Sequence, residues 1–339
     1  MGWVKKGCAV VVVLLLLTLI ASAIGLWQMN RRYAVLFAAP VVDHLSLISE
    51  RPAFRMAVDP GPLAPHLQNV LQDYLQQDVP FWAVDQVLPY GLSAVVFNDF
   101  DKDQVVLDVL LNERRLGPLL AETINASGIL DAFETLGLPQ KGALWEGPGR
   151  LRMHGAAPMD EETQEKVWYT WGDSGIGTPL EIEGDHLIEI VGDNRDGDAY
   201  LAAASLMKAH DFELNEEEQK ISFPSFQFVT TLRLTADRTD ADEVALRLAM
   251  EVIPEMRDRV AVVNLKVGID ELLAQLAENL SEEHQITMTG ESRWEENTIV
   301  WQYTIDDFST FIELLLDGRL FQQVSGATAD PAPVRAPAQ

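Results

Sequence analysis

Residues 226–252 read FQFVTTLRLTADRTDADEVALRLAMEV, and this stretch decides the fold class. Val244, Leu246, Leu248, Met250 and Val252 alternate with Ala, Arg and Glu, the period of a strand with one buried face. Residues 226–236 form a β-rich run before it, and DRTDADE between the two is turn chemistry, because Asp side chains cap nearby backbone amides. The pair predicts an antiparallel hairpin. A helix is expected after Gly268, with Ile269, Leu272, Leu273, Leu276 and Leu280 at helical spacing.

The same grammar recurs on both sides. SAVVFND at 93–99 and QVVLDVLL at 104–111 flank the polar turn FDKD, and Leu116, Leu119, Leu120 and Ile124 then share a helical face. A short helix is expected to carry Ile129, Leu130, Phe133 and Leu136. QITMTG at 285–290 and TIVWQYTI at 298–305 predict a third hairpin. Asp306 or Asp307 then caps a helix that buries Phe308, Phe311, Ile312 and Leu315. PGPLAP at 60–65 opens a helix bearing Leu67, Val70, Leu71, Tyr74 and Leu75, and residues 198–210 read as another helix. VWYTW at 167–171 and HLIEIVG at 186–192 read as strands. Hairpin-then-helix thus falls at 93–124, 226–280 and 285–318, with irregular spacing that argues for shared architecture over a solenoid. The expected class is α+β: an N-terminal transmembrane or signal-anchor helix, then antiparallel β-hairpins with helices packed on one face.

The N-terminus supplies the anchor. Residues 9–29, AVVVVLLLLTLIASAIGLWQM, hold no charged group. At 1.5 Å per residue they make roughly 31 Å of helix, enough to cross the hydrocarbon core. Lys5 and Lys6 precede the segment, Arg31 and Arg32 follow it, and Trp3 and Trp27 stand near its ends. A short basic tail before an apolar core is the usual export signal, so the large domain is expected outside the cytoplasm. Ala21 and Ala23 form an A-x-A site, and cleavage after Ala23 would instead release a soluble exported protein.

Composition narrows the partners. The chain has 339 residues, 25 Lys plus Arg against 52 Asp plus Glu, and a formal charge of −27. Residues 1–32 carry four positive and no acidic groups, so the remainder stands at −31. Such a body repels nucleic acid and anionic lipid. A single cysteine, Cys8, excludes a disulfide scaffold and a Cys-based metal site. The organisation expected is a basic tail (1–8), the apolar segment (9–29), a juxtamembrane helix or linker (30–55), a first α+β subdomain (56–140), a Gly/Pro-rich linker or loop (141–164), a second α+β subdomain (165–323) and a disordered Pro/Ala-rich tail (324–339).

Chemical motifs are sparse. Gly172-Asp173-Ser174-Gly175 resembles the nucleophile segment of trypsin-like proteases, and its Gly-Asp-Ser resembles the opening of SGNH-type esterases. The likeness covers four residues and lacks its partners: His186, His210 and His284 have no Asp three residues before them, and Ile176 stands where G-x-S-x-G requires Gly. Ser174 is the catalytic candidate, weighed against a polar turn. His44, His66, His154, His186, His210 and His284 form no H-x-H or H-E-x-x-H pair, so no metal site is read from them. Asp99, Asp101 and Asp103; Asp193, Asp196 and Asp198; and Asp237, Asp240 and Asp242 are Asp-rich turns that offer oxygens to Ca2+, though none matches an EF-hand. Trp168, Trp171, Trp294 and Trp301 read as hairpin or core packing, with a ligand groove as the alternative. No nucleotide or other cofactor motif is present. The expectation is a non-catalytic, membrane-tethered envelope protein that scaffolds, assembles or binds a protein partner. A hydrolase with dispersed residues and a carrier of an apolar ligand between sheet and helices are the alternatives.

Overall fold

The computed structural model describes residues 44–48, 50–75, 78, 91–112, 140–147, 150–171, 180–183, 186–209, 226–239 and 242–316. Ten antiparallel strands form one sheet: β1 (Pro52–Val58), β2 (Gly91–Asp99), β3 (Gln104–Asn112), β4 (Gln140–Gly147), β5 (Arg150–Pro158), β6 (Ile188–Asp193), β7 (Val229–Arg238), β8 (Glu243–Val252), β9 (Met288–Glu295) and β10 (Thr298–Asp306). The helices are α1 (Ala64–Leu75), α2 (Glu161–Trp171), α3 (Asp198–Ala209), α4 (Val260–His284) and α5 (Phe308–Leu316). The class is α+β.

Strand order is β4-β5-β3-β2-β1-β6-β7-β8-β10-β9. Read outward from the centre, β1-β2-β3-β5-β4 and β6-β7-β8-β10-β9 are the same path. Each half runs strand, helix, hairpin, connection, hairpin, helix, and the halves meet at the antiparallel pair of β1 and β6. Local chemistry repeats with the topology. The Asp103 carbonyl accepts the Met159 amide at 2.9 Å, and at the matching corner the Asp242 carbonyl accepts the Phe308 amide at 3.0 Å. The caps of α2 and α5 are both D-x-x-T: Thr163 Oγ1 donates to Asp160 at 2.6 Å, and Thr310 Oγ1 donates to Asp307 at 2.8 Å. The repeated unit is therefore 52–171 and 188–316, and it cuts across the hairpin-then-helix grouping read from the sequence.

Register explains the two faces. One row across the sheet runs Met153, Val109, Ala94, Met56, Ile190, Leu234, Leu248 and Trp301. The row one residue along runs His154, Asp108, Val95, Arg55, Val191, Arg233, Ala249, Val300 and Arg293. Side chains alternate across a strand, so the first row faces the helix-packed core and the second sets Asp108, Arg55, Arg233 and Arg293 among the buried Val95, Val191 and Val300 on the other, more polar face. Helices cover the apolar face. Leu201 and Ala202 of α3 and Val167 of α2 pack with Phe54, Val96 and Val105. Leu280 of α4 and Phe308, Phe311 and Ile312 of α5 pack with Ala236, Val244 and Ile305. Val262 and Leu265 of α4 meet Met250, Ile299 and Trp301.

Four expectations are corrected. Residues 52–55, placed at the end of a juxtamembrane helix or linker, belong to a central strand, Pro52–Val58; PAFRMAV is short, starts with Pro and carries Arg55, which hides its alternation. The stretch 141–164, expected as a linker or long loop, holds most of the β4–β5 hairpin and the start of α2. Its glycines serve packing: a Cβ at Gly142 would lie 2.7 Å from the His154 ring on the paired strand. VWYTW is helix rather than strand, because the Asp160 cap and Glu161 and Glu162 in the first turn favour a helix N-terminus. The helix expected after Gly268 begins at Val260 and runs through that glycine. It ends at Gln285 (φ 61°), where the Gln285 amide reaches Ser281 O at 3.2 Å, the bond of an αL cap, and the Ile286 amide reaches Leu280 O at 3.1 Å with Ile286 buried. The apolar segment 9–29, the helices expected over 116–136 and the tail 324–339 lie outside the described residues. Among the described residues no helix is long and apolar enough to cross a membrane.

Candidate functional site

Among the described residues no α-helix packs on the second face, and it concentrates the polar chemistry. Asp108 interrupts the apolar alternation of β3 and points onto this face, where it is 2% exposed. Arg152 of β5 grips it with Nε at 2.7 and 3.0 Å and Nη2 at 2.5 Å. His44, from the 3-10 turn His44–Leu47, completes the cluster with Nε2 3.3 Å from Asp108 Oδ1 and Nδ1 2.8 Å from Ser93 Oγ. Burial opposes ionisation of Asp108, but the bonds from His44 and Arg152 and the guanidinium charge outweigh it and hold the carboxyl below its usual range. A carboxylate only accepts, so His44 Nε2 donates to Asp108, and the Ser93 hydroxyl bonds to Nδ1 on the other side of the ring. The cluster is a Ser–His–Asp chain in which the acid is shared with an arginine.

Toward the other half, residues 180–183 and His186 lie over the same face. Arg55 Nη1 donates to Leu180 O at 2.6 Å, and Arg233 Nη2 donates to Glu181 O at 3.1 Å. Arg233 also pairs with Glu183 and, at 3.1 Å, with the fully buried Glu189. His186 Nδ1 sits 2.8 Å from Asp237; burial lowers its proton affinity, but the bond and charge of Asp237 win and raise it. A shallow depression of about 230 Å³ is lined here by His186, Arg233, Thr235, Asp237, Arg247 and Gln302. A larger one of about 500 Å³ lies between α2 and α3, where Asp160, Glu161, Glu162 and Lys208 give it a charged lining.

A third cluster closes the end of β6. Arg51 bridges Asp193, at 2.7 Å, and Asp196. Arg195 adds Nε and Nη2 to Asp193 at 2.8 and 2.5 Å. Burial disfavours the Asp193 charge, but these bonds prevail and lower its pKa. Asp198, the first residue of α3, receives Asn98 Nδ2 at 3.3 Å; burial and then the neighbouring Asp196 charge push it up to about 6. Asn194 locks the turn, donating to Phe226 O and Val229 O at 3.1 and 3.0 Å and accepting the Tyr200 amide at 2.9 Å.

The residues singled out from sequence are therefore scattered. Ser174 lies outside the described residues. Asp99 holds Lys102 Nζ at 2.6 Å, while Asp101 and Asp103 are exposed at the β2–β3 turn. Asp193 and Asp196 do come together with Asp198 nearby, but arginines supply the counter-charge. Asp237 serves His186, Asp242 accepts from Ser309 Oγ at 3.2 Å, and Asp240 lies outside the described residues. Among the described residues no group of three or more His, Cys, Asp or Glu is arranged to hold a metal ion. Trp301 is core, with Nε1 donating to Asp270 at 2.7 Å; Trp294 lies under Arg257, whose guanidinium carbon is 4.7 Å from its ring centre; Trp168 is 62% exposed. Sequence reasoning missed Ser93, Asp108, Arg152 and Arg51, and weighed His44 only as a metal ligand. The one available signal was a lone acid inside the apolar run QVVLDVLL. Comparison with protein-family models, with curated proteins and with solved structures finds no match for this chain.

Proposed function

We propose that the chain is a membrane-tethered, extracytoplasmic acidic protein whose role is assembly, scaffolding or binding of a protein partner rather than catalysis. The observation that carries this reading is the uncharged segment 9–29 between basic flanks, followed by a body of −31. The described residues begin at His44, with fourteen residues between it and Met29. Those residues span at most roughly 50 Å when extended, so a bilayer holding 9–29 keeps the sheet close. His44 fastens this entry point to the polar face through Ser93 and Asp108. The buried ion pairs read as clamps that fix the chain's path, and the exposed acids keep the body from settling on anionic lipid.

A hydrolytic reading is favoured by one observation, the Ser93–His44–Asp108 chain. Two features weigh against it. Arg152 shares the Asp108 charge, which reduces the pull on His44. Ser93 sits in β2, whose two sides are paired to β1 and β3, so its strand amides are engaged in the ladder and cannot serve as oxyanion donors. The test uses the full chain expressed in a bacterium. Retention in the membrane after alkaline carbonate washing, with degradation by protease added outside the inner membrane, is the expected result. Release into the wash at a mass shortened by the first 23 residues would select cleavage after Ala23; protection of the body from external protease would overturn the reading. Labelling of Ser93 by a fluorophosphonate would move the assignment to a hydrolase.

A further inference from the structure

We propose that residues 180–183 and His186 form a proton-operated strap over the polar face, fastened while the His186 ring is charged and loosened when it loses its proton. The proposal rests on this face alone and does not require the membrane tether. Arg55 and Arg233 hold the Leu180 and Glu181 carbonyls at 2.6 and 3.1 Å, and Arg233 also pairs with Glu183. His186 fastens the other end. Its Nδ1 lies 2.8 and 2.9 Å from the two Asp237 oxygens, and its Nε2 lies 3.6 Å from Glu183. Guanidinium groups keep their charge, so His186 is the fastening that a change of ambient pH can switch. The charged ring carries an N–H on each side and holds both carboxylates. The neutral ring has one N–H, so one carboxylate then faces a lone pair.

The surroundings favour the charged ring. Asp237 comes from β7, Glu189 from β6 and Glu183 from the strap itself. The cations at the same depression are Arg233 of β7, paired with Glu183 and Glu189, and Arg247 of β8, paired with Glu295 at 3.5 Å; β10 adds the neutral Gln302. Burial lowers the proton affinity of the ring, but Asp237, then Glu189 and Glu183, raise it. A raised value means that the latch is whole below the ordinary histidine range and is lost as pH climbs through the higher one. The strap is therefore shut in acid and loosened in alkali, and loosening bares the depression lined by Arg233, Thr235 and Arg247. The first half carries a sealed counterpart. His44, ahead of β1 as His186 is ahead of β6, meets Asp108 on the same face. There Arg152 also holds the acid and the ring is 4% exposed, whereas the His186 side chain is 21% exposed and open to proton exchange.

Thiol labelling of the full chain in mild detergent, in a Cys8→Ser background, tests the strap. Thr235→Cys sets a thiol of similar size in the depression, at a position 6% exposed. Its labelling rate with a methanethiosulfonate, divided by that of a free thiol at the same pH, should be several-fold higher at about pH 9 than at about pH 6. Adding His186→Gln, whose amide takes up no proton, should give the fast rate at both pH values. Ala236→Cys, one residue along the same strand but in the helix-covered core, should label slowly throughout, which separates release of the strap from unfolding. A Thr235→Cys rate that does not change with pH, a His186→Gln chain that labels slowly or keeps the pH response, or equal acceleration at Ala236→Cys would each overturn the proposal.

Discussion

Asp198 gives the sharpest quantitative expectation. Its carboxyl is buried at the start of α3, beside the Asp196 charge, with Asn98 as its side-chain donor, and its pKa stands at about 6. An unfolded Asp titrates near 3.9, so the shift is about 2 units, or about 3 kcal/mol at 1.36 kcal/mol per unit. Because the folded pKa is the higher one, the native state binds the extra proton between about pH 4 and 6. Stability from this group is complete below about pH 4 and falls as pH rises to about 6, where the penalty is fully present. Asp198→Asn removes the charge while keeping an acceptor for Asn98. At pH 7.5 the variant should be more stable than the parent by about 1–3 kcal/mol, the lower figure allowing for loss of the helix-dipole attraction to the anion. At pH 4 the two should differ by less than about 0.5 kcal/mol. Urea denaturation of both proteins at the two pH values measures this, and the double difference cancels the titration of every group the substitution leaves alone. An equal difference at both pH values would refute the assignment of the strained charge to Asp198.

Other substitutions probe the remaining clamps. Asp108→Asn should cost about 3–5 kcal/mol in denaturant melts, since it leaves Arg152 and His44 facing a neutral amide; its lowered pKa means the parent loses this contribution as pH falls below about 4, so the gap should narrow in acid. Gly290→Ala should destabilise by about 1–3 kcal/mol, because a Cβ there collides with the Gln302 carbonyl and the Tyr303 ring, and thermal melting will show it. Gln285→Gly should stabilise by about 0.5–1 kcal/mol by relieving the left-handed backbone at the end of α4, visible as a raised urea midpoint with unchanged slope. Phe308→Ala, at a 0% exposed ring contacting His66 edge-on at 5.3 Å, should cost about 3–5 kcal/mol.

Local pattern carried much of this fold. The alternation over 244–252 and the turns at FDKD and DRTDADE placed β2, β3, β7 and β8, and an aspartate before Phe308 placed the cap of α5. Period-two and period-3.6 burial is written into neighbouring residues, so these elements could be read one at a time. Strand β1 and the β4–β5 hairpin could not. Arg55 and the glycines make sense only against partners far along the chain: Gly142 against His154, Arg55 against Leu180.

The sequence by itself determined the acidic balance, the apolar N-terminal segment and the hairpins whose one-sided alternation needs no partner to be recognised. Tertiary structure alone decided that two matching halves join through β1 and β6, and that His44, Ser93, Asp108 and Arg152 meet on one face. Burial of a charge depends on which distant strand lies beside it. That neighbour is set by sheet order, a property of the whole chain that no local window contains.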